Sequence, residues 1–413
     1  MEERSYQMSG TLDRYLRQCV AVDGGRTEVE SVRCGGESVP RYINEFWTSR
    51  QRQASSIHEV SYRACFKPQL PRFFIRLLTS AGDLVYDPFS GRGTTAVEGA
   101  LLGRRVAAND ANPLSAILAA PRLEPPALDE VEARLSAIPR DTGERAEIDL
   151  SMFYHERTEA EIVALRRYLM ERGKSADPVD RWIRMTATTR LTGHSKGFFS
   201  VYTLPPNQAV SPESQRRINQ KRNQCPDYRD THALILKKSR ALLKDLTEAE
   251  RRSLREAGKS ALFLTGDAAS TPSIPSGSVA LTVTSPPFLD VVQYARDNWL
   301  RCWFNGLDAG AIAAGITTAR TVGEWERVME EVFSELHRIT RPGGWIAFEV
   351  GEVRNGSIAL DEHVVPLGAA SGLIPAGIVL NRQCFTKTSN IWGVANNARG
   401  TNTNRIVLFR KDV

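Results

Sequence analysis

The sequence lacks several patterns that would place it in a common class of protein. Its six cysteines are scattered without a CxxC pair or a Cys/His cluster, so the spacing indicates neither a disulfide framework nor a zinc site, and we predict that no metal is bound. No apolar run approaches the roughly 18 to 20 residues that cross a bilayer, and the polar start MEERSYQMSG lacks the core of a signal peptide. We expect a soluble, cytoplasmic protein without membrane contact.

Basic charge is concentrated in one part of the chain. The formal net charge is +6 and the pI is about 9.0, a balance that favours a polyanionic partner. Residues 181–240 carry twelve Lys/Arg and three Asp/Glu, a net charge of +9, so the remaining residues sum to −3. We therefore expect this segment to provide contacts with a polyanion.

Apolar periodicity predicts an α/β protein. Residues 83–110, DLVYDPFSGRGTTAVEGALLGRRVAAND, follow the pattern strand, glycine-rich turn, helix, strand, which is a βαβ unit of a parallel sheet. The chain is then helical and charged to about residue 260, after which short apolar strands return. These strands are predicted at 261–267, 278–287, 343–353 and 404–411, with a helix over EWERVMEEVFSELHRIT before the third.

The same patterns divide the chain into three parts. We place an N-terminal segment and the first half of the sheet in residues 1–120, a basic and mainly helical insertion in 121–260, and the second half of the sheet in 261–413. The insertion contains the amphipathic helix candidate ERTEAEIVALRRYLMERG and the loop candidate YTLPPNQAVSPESQ.

The turn DPFSGRGTT has neither the GxGxxG spacing of dinucleotide-binding loops nor the GxxxxGK[ST] of P-loops. It leads from a strand into a helix, at the carboxyl edge of the sheet where ligands bind, and Gly91 and Gly93 permit positive φ and close approach of a ligand. Strand two ends in Asp110, suited to the ribose hydroxyls of an adenosine ligand. Asp267 follows a third strand and is suited to an adenine amino group. Each aspartate is alternatively a turn or helix cap.

The stretch LTVTSPPFLD ends a buried-type strand at the same edge. Pro286 biases Ser285 toward an extended backbone, and the two prolines remove two N–H donors. The remaining groups are acceptors, namely the Ser285 hydroxyl and the Pro286 carbonyl, beside the flat face of Phe288. This set suits a planar base with an exocyclic NH₂ group, which must leave a duplex to reach it. The alternative is a proline-stiffened loop with a buried phenylalanine.

DPFSGRGTT followed by TSPPF resembles the amino-group DNA methyltransferases, whose signatures are an FxGxG loop for S-adenosylmethionine and a catalytic (Asp/Asn/Ser)-Pro-Pro-aromatic segment. Serine in the first position resembles the cytosine-N4 branch, whereas Asp or Asn is usual for adenine-N6. The segments FKPQLPRFFIRLL, ITRPGGWIAFEVGEV and NIWGVANNARGTNTNRIVLFRK are also similar to this family. The resemblance implies a Rossmann-like class I methyltransferase sheet with helices on both faces.

The resemblance also implies a role for individual residues. The S-adenosylmethionine site would comprise Phe66, Asp87, Phe89, Gly91, Gly93, Thr94, Asp110 and Asp267. The catalytic segment that holds the target base would comprise Ser285, Pro286, Pro287 and Phe288. The chain departs from the family's common layouts in one respect, because the insertion precedes the TGDAAS strand.

Double-stranded DNA is the partner that the resemblance implies, and the basic insertion is the candidate recognition element. We assign phosphate and base-edge contacts to Arg190, Lys196, Arg216, Arg217, Lys221 and Arg222. A merely solvated charged face is the alternative. A companion restriction endonuclease is a further candidate partner, and the oligomeric state is left open.

The predicted reaction is direct transfer of a methyl group to the N4 amino group of a flipped cytosine, which requires positioning and no covalent enzyme intermediate. A cytosine-C5 enzyme would need a cysteine in a Pro-Cys segment, and NQCPDYR has the reverse order. The alternatives are an adenine-N6 DNA methyltransferase, an RNA guanine-N2 methyltransferase and a catalytically silent DNA-binding protein of the same fold.

Overall fold

The computed structural model describes residues 2–21, 24–48, 54–62, 65–205, 208–287, 294–316, 319–353, 358–382 and 403–413. The strands are β1 Glu28–Cys34, β2 Glu37–Asn44, β3 Leu84–Asp87, β4 Arg105–Asp110, β5 Leu262–Thr265, β6 Val279–Thr284, β7 Thr340–Val350, β8 Glu352–Val353, β9 Ile358–Ala359, β10 Leu373–Arg382 and β11 Thr403–Lys411. The helices up to β5 are α1 Glu2–Gln18, α2 Gln69–Leu78, α3 Thr94–Leu101, α4 Leu114–Ala119, α5 Leu128–Ala137, α6 Glu156–Arg172, α7 Pro178–Thr188, α8 Pro212–Arg222, α9 Thr231–Leu243 and α10 Glu248–Gly258. The later helices are α11 Tyr294–Asp297, α12 Trp299–Phe304, α13 Ala309–Gly315, α14 Val322–Ile339 and α15 Leu360–Ala370.

Nine of these strands form one mixed sheet in the order β1-β2-β10-β11-β7-β6-β3-β4-β5. Strands β7, β6, β3, β4 and β5 are parallel to one another, β11 is antiparallel to both of its neighbours, and β10 is parallel to β2. After the β1–β2 hairpin, the chain enters the middle of the sheet at β3, builds outward to β5 and then returns to build the other half. This doubly wound arrangement confirms the predicted Rossmann-like α/β fold.

Helices cover both faces of the sheet because successive side chains of each strand point to opposite sides. In β7, Ile346 and Phe348 pack with α14 and α15, whereas Trp345 and Ala347 pack on the opposite face with α1 and α2. The central strand β6 is buried along its whole length. Such two-sided burial explains why the parallel strands read as continuous apolar runs in the sequence.

Residues 121–260 contain helices α5 to α10, of which α5, α6, α7 and α9 share one apolar core. Trp182 of α7 is completely buried there, and its indole N–H donates to Ser239 Oγ of α9 at 3.0 Å. Tyr62, from the segment before α2, and Leu300 and Phe304 of α12 belong to the same core. The helices of residues 121–260 therefore pack against the segment before α2 and against α12. The first precedes the glycine-rich turn at 87–95, called the cofactor turn below, and the second follows the Ser-Pro-Pro segment at 285–287.

Two further findings concern membranes and metals. Within the described ranges, no helix combines the length and apolar character that a membrane span requires. Among the same residues, no group of three or more His, Cys, Asp or Glu side chains is arranged to hold a metal ion.

Candidate functional site

The carboxyl ends of the parallel strands bring the predicted site residues to one edge of the sheet. Asp87 ends β3 and Asp110 ends β4, which is its neighbour. Ser285 follows β6 on the other side of β3, and Asp267 follows β5 beyond β4. Two segments that lie about 200 residues apart in sequence therefore meet at β3 and β6, the centre of the edge.

Asp87 is buried at this centre, with 1% of its surface exposed. Its Oδ1 accepts hydrogen bonds from Thr284 Oγ1 at 2.6 Å and from the N–H of Phe89 at 3.1 Å. Its Oδ2 is buried and makes no hydrogen bond of good geometry with the described residues, although the Thr95 hydroxyl, which donates to the Val283 carbonyl, lies near enough to Asp87 to lower its pKa. Burial raises the pKa of Asp87 to about 7, so a positive charge at Oδ2 would restore the ionised form.

Asp110 fastens the glycine-rich turn to the end of β4. Its Oδ2 accepts from the N–H of Gly91 at 2.8 Å, and its Oδ1 accepts from the N–H of Asn112 at 2.8 Å. Burial raises the pKa of this carboxyl to about 6. An ionised carboxylate has about four acceptor positions, so two remain for the hydroxyls of a ligand.

The glycines of the turn are required by the protein's own backbone and packing. Gly91 and Gly93 have φ values of +52° and +76°, a region that other residues rarely adopt. A Cβ at Gly93 would lie 2.3 Å from the Cβ of Ala119, and one at Gly91 would lie 3.2 Å from Cys65 Sγ. The side of each glycine on which a Cβ would project is therefore filled by α4 or by the segment before α2.

The other residues assigned to the cofactor lie around this turn in different environments. Thr94 is buried and accepts from Arg92 Nε at 3.2 Å. Phe66 packs on the α1/α2 face of the sheet and Phe89 on the α14/α15 face. Asp267 is exposed, and its Oδ1 accepts from the N–H of Ala269 at 2.9 Å, which makes it the cap of a turn at the same edge.

The Ser-Pro-Pro segment is held against the cofactor turn and against α14. Thr95 Oγ1 donates to the carbonyl of Val283 at 3.1 Å, and the indole N–H of Trp325 donates to the carbonyl of Pro287 at 3.1 Å. Pro286 is buried, whereas Ser285 and Pro287 are partly exposed. Phe288 lies outside the described residues.

Glu349 is a site residue that the sequence reasoning missed. It lies near the end of β7, is 9% exposed, and accepts hydrogen bonds from the Ser285 hydroxyl and from Asn404 Nδ2, the latter at 2.5 Å. Burial raises the pKa of its carboxyl. A lone acidic residue within the otherwise apolar run WIAFEV was a signal available in the sequence.

The basic residues assigned to DNA fall into two groups within the insertion. On α8, Arg216 pairs with Asp149 at 2.8 Å and Arg222 stacks on the Tyr202 ring at 3.7 Å, whereas Arg217 and Lys221 are exposed and one turn apart. The inner side of α8 is anchored by Gln215 Nε2, which donates to the Tyr202 carbonyl.

The second group lies on the loop between α7 and α8. Arg190 stacks on the Phe198 ring at 4.1 Å and is partly buried, whereas Lys196 is exposed. This loop meets the chain that leaves the Ser-Pro-Pro segment, because the N–H of Ala209 donates to the Asp297 carbonyl at 3.0 Å and Trp299 Nε1 donates to the Val210 carbonyl at 3.1 Å.

Comparison with known proteins gives one family match. Residues 24–117, which include β1 to β4 and the cofactor turn, match the family model of N6/N4 methyltransferases described as DNA methylase. The match covers less than half of the chain. Among curated proteins, none matches.

Several solved structures are similar to the chain. A candidate DNA modification methylase from Thermus thermophilus, complexed with S-adenosyl-L-methionine, is 24% identical over 36% of this chain and 54% of that chain, with a TM-score of 0.22. The alignment thus spans about half the length of the Thermus protein. Geranyl diphosphate C-methyltransferase from Streptomyces coelicolor A3(2) is 10% identical over 84% of this chain and 78% of that chain (TM-score 0.33). The rRNA methyltransferase aviRa from Streptomyces viridochromogenes is 11% identical over 86% and 90% (TM-score 0.32).

The strand order and the carboxyl-edge geometry are those of a Rossmann-like α/β fold, and residues 24–117 match the DNA methylase family model. The residues present fit the cofactor, because the unpaired, buried Asp87 Oδ2 is a site for positive charge and Asp110 retains acceptors for hydroxyls. The predictions of the fold class and of the cofactor are confirmed at this level, and the DNA methylase match supports the broader prediction of a DNA amino-methyltransferase.

Proposed function

We propose that the protein is a DNA methyltransferase that transfers the methyl group of S-adenosylmethionine to the N4 amino group of a cytosine flipped out of duplex DNA. The observation that carries this proposal is the Ser285 hydroxyl at the centre of the carboxyl edge, hydrogen-bonded to buried Glu349 and adjacent to the Asp87 turn. The adenine-N6 reaction is the runner-up, and a companion endonuclease remains a proposal.

The hydrogen bond to Glu349 determines which lone pairs of Ser285 Oγ are available to a base. A hydroxyl has one proton and two lone pairs, and here the proton is donated to the Glu349 carboxylate. Both lone pairs of Oγ are then available for an exocyclic N–H. The Pro286 carbonyl offers a second acceptor, and proline at 287 leaves no competing N–H donor there.

These acceptors suit the chemistry of a cytosine amino group. Its nitrogen lone pair is delocalised into the ring, so the nitrogen is a poor nucleophile until it becomes pyramidal. Acceptors out of the ring plane favour that geometry and direct the lone pair at the methyl group that the cofactor supplies. When bound, S-adenosylmethionine would supply the methyl group, and holding the amino nitrogen in line with that group would provide the acceleration.

The proton that leaves the methylated nitrogen has a route through the same residues. It passes to Ser285 Oγ, while the serine proton passes to Glu349. Burial raises the pKa of Glu349, which makes this carboxylate a better proton acceptor than an exposed one. Glu349 acts through Ser285 and is a positioning residue for the reaction.

The neutral serine supports cytosine as the target. In the resembling family, Asp or Asn at this position is usual for adenine, and position 285 is serine. The basic insertion supports DNA as the substrate, since Arg217 and Lys221 are exposed on one face of α8. Both arguments rest on residue chemistry at the described positions.

The test is to incubate the purified protein with genomic DNA and S-adenosylmethionine and to separate the digested nucleosides by mass spectrometry. N4-methylcytosine is expected from the wild type. N6-methyladenine as the sole product would support the runner-up, and 5-methylcytosine would overturn the mechanism. Methylated RNA with unmodified DNA would overturn the DNA substrate.

Variants test the roles of Ser285 and Glu349. Ser285→Ala leaves an N–H of the base unpaired in a desolvated site, which costs about 1 to 3 kcal/mol or roughly ten- to a hundredfold in rate. Ser278→Ala, at the opposite end of β6, is the matched control and is expected to retain full activity. Glu349→Gln should flatten the dependence of the rate on pH, and an unchanged pH profile would exclude Glu349 from the proton route.

A further inference from the structure

Polar side chains form a row across one face of the sheet, at the carboxyl edge beside the Ser-Pro-Pro segment. They lie on four neighbouring strands and are Glu349 of β7, Asn404 of β11, Asn381 of β10 and Asn44 of β2. The register pairs Asn381 with both Asn44 and Asn404. The residues two positions away on the same strands, such as Ala347 and Ile406, pack on the face that α1 and α2 cover, so the row lies on that face.

Two of the amides in this row fasten the N-terminal part of the chain. Asn381 is completely buried, and its amide accepts from the N–H of Trp47 and donates to the Trp47 carbonyl, each at 3.2 Å. Asn44 is also buried, and its Nδ2 donates to Thr27 Oγ1 at 2.9 Å and to the Cys19 carbonyl at 3.1 Å. Both amides therefore stabilise the fold around β1 and β2.

Asn404, by contrast, contacts a residue of the candidate site. It is partly exposed, and its Nδ2 donates to Glu349 Oε1 at 2.5 Å. The two residues are diagonal neighbours across the antiparallel β7–β11 pair, since Glu349 lies directly opposite Ile406. A hydrogen bond to a carboxylate is stronger than one between neutral groups, so Asn404 fixes the orientation of the Glu349 carboxyl group.

The Glu349 carboxyl group accepts a second hydrogen bond from the other neighbouring strand. Strand β7 lies between β11 and β6, and the hydroxyl of Ser285, which follows β6, donates to Glu349. Asp87, the buried aspartate at the end of β3, accepts from Thr284 instead. The Glu349 carboxyl group is thus held between the Asn404 amide on one side and the Ser285 hydroxyl on the other.

The charged residue next to Asn404 in the sequence is Arg405. Its side chain lies on the opposite face of the sheet, where its Nη1 pairs with Asp361 of α15 at 3.0 Å. Among the described residues, burial raises the pKa of Glu349 and its two hydrogen bonds lower it. Loss of the Asn404 donor should therefore raise the proton affinity of Glu349 further.

We propose that Asn404 is a positioning residue, whose amide holds the Glu349 carboxylate where Ser285 donates to it and keeps both lone pairs for the base. An amide offers N–H donors without giving up a proton, so Asn404 orients the carboxylate and takes no part in the proton route. The inference rests on the proposed function. It applies equally to an amino group of cytosine or of adenine, since either would present an N–H to Ser285.

The first experiment titrates Glu349 in the absence of substrate. The infrared carbonyl band of its protonated carboxyl group is identified by its absence from Glu349→Gln, and the pH midpoint of that band is compared among wild type, Asn404→Ala and Asn404→Leu. Both variants lack the amide donor, and leucine keeps nearly the volume of asparagine, so both should raise the pH midpoint. An unchanged pH midpoint in both variants would overturn the proposal.

Asn44→Ala is the matched control, because it removes a buried amide from the same row. It is expected to lower the urea concentration at which the protein unfolds, since it leaves the Cys19 carbonyl without this donor. It should leave the pH midpoint of the Glu349 band unchanged. A shift of that midpoint as large as in Asn404→Ala would overturn the proposal, since it would show an indirect effect of reduced stability.

The second experiment measures the rate of a single methylation turnover as a function of pH, with DNA and S-adenosylmethionine saturating. In Asn404→Ala the rate should fall roughly tenfold or more on the acid side, where Glu349 becomes protonated, and should approach the wild-type rate at high pH. The affinities for DNA and for the cofactor should be retained. Asn404→Ala combined with Glu349→Gln should have the pH profile of Glu349→Gln alone.

The outcomes separate this inference from the proposed function. Wild-type protein that methylates no DNA would overturn the proposed function. Active wild type together with an unshifted pH profile in Asn404→Ala would overturn the positioning role alone. A fall in rate of equal size at every pH would assign Asn404 a merely structural role and would also overturn the proposal.

Discussion

The ionisation of Asp87 gives a prediction that depends on the structure alone. Its carboxyl is buried between β3 and β6, and burial raises its pKa from 3.8 to about 7. Between these two pH values the folded protein holds a proton that the unfolded chain has released. The stabilisation is therefore complete below about pH 4 and is lost as the pH rises to about 7.

The size of the effect follows from the width of that window. Each pKa unit corresponds to about 1.36 kcal/mol, so the shift of about three units is worth about 4 kcal/mol between the fully protonated and fully ionised limits. Between about pH 5 and pH 8, Asp87 alone should lower the free energy of unfolding by about 2 to 3 kcal/mol. Asp110 and Glu349 act in the same direction, because burial raises the pKa of both. The charge of Asp110 also raises the pKa of Asp87, so part of the Asp110 contribution changes with a variant at position 87.

Urea unfolding of wild type and Asp87→Asn at about pH 5 and pH 8 measures the difference. Asparagine keeps the oxygen that accepts from Thr284 and Phe89 and has no charge to desolvate. The loss of stability between the two pH values should be smaller in Asp87→Asn by about 2 to 3 kcal/mol. Asp267→Asn, which changes an exposed aspartate at the same edge, is the control and should respond like wild type. Equal pH responses in wild type and Asp87→Asn would refute the reasoning.

Three further predictions concern the turn and the insertion. Gly93→Ala should destabilise the fold by about 1 to 3 kcal/mol more than Gly82→Ala in thermal or urea unfolding, because both have positive φ and only Gly93 has a side chain, Ala119, within 2.3 Å of the added Cβ. Asp110→Ala should weaken S-adenosylmethionine binding in calorimetry while the protein remains folded, since the carboxylate fastens the turn at Gly91; unchanged affinity would contradict this. Replacing Arg217 and Lys221 by Gln should reduce the salt slope of DNA binding by up to about 0.9 per contact, and an unaltered slope would show that α8 faces solvent.

The central strands could be predicted from sequence because each is buried on both faces. The predicted strand at 278–287 corresponds to β6, which ends at Thr284, and the strand at 404–411 corresponds to β11 with one more residue at its start. The prediction at 343–353 covers β7 and β8, which are separate strands, and β7 begins earlier at Thr340. The sequence pattern did not indicate that β7 begins at Thr340, because Pro342 and the two glycines after it are residue types that are rare in strands.

Three strands of the large sheet, β1, β2 and β10, were not predicted. Strand β10 contains Pro375 and Gly377, and the register shifts between them, so its sequence does not show a clean strand period. Strands β1 and β2 form a hairpin through Gly35 and Gly36, and their outward residues are charged, a pattern that also suits a surface loop. Strand β1, at the edge of the sheet, and the start of β2 are exposed to solvent, and this weakens the apolar signal on which the prediction depends.

Some residues of the candidate site could be predicted from local sequence, whereas their hydrogen-bond partners could not. Asp87, Asp110 and Ser285 lie at the ends of apolar strands, and a sequence pattern locates strand ends. The partners of the site residues come from distant elements, as Trp325 does for Pro287 and Asn404 does for Glu349. Such pairs are fixed only when β7 lies beside β6, β11 beside β7 and α14 against the sheet, which the order of motifs along the chain does not specify.

Two hydrogen bonds among the described residues join the glycine-rich turn to the Ser-Pro-Pro segment, from Thr95 to the Val283 carbonyl and from Thr284 to Asp87. Thr284 donates to Asp87 at 2.6 Å, and the next residue is Ser285, which donates to Glu349. A positive charge near Asp87 favours its ionised form and so strengthens the bond from Thr284, since charged acceptors bind hydroxyls more tightly. A stronger hydrogen bond from Thr284 to Asp87 would fix the position of the backbone that carries the Ser285 hydroxyl. Under the proposed function, a cofactor bound beside Asp87 would order the segment that receives the base before the base arrives.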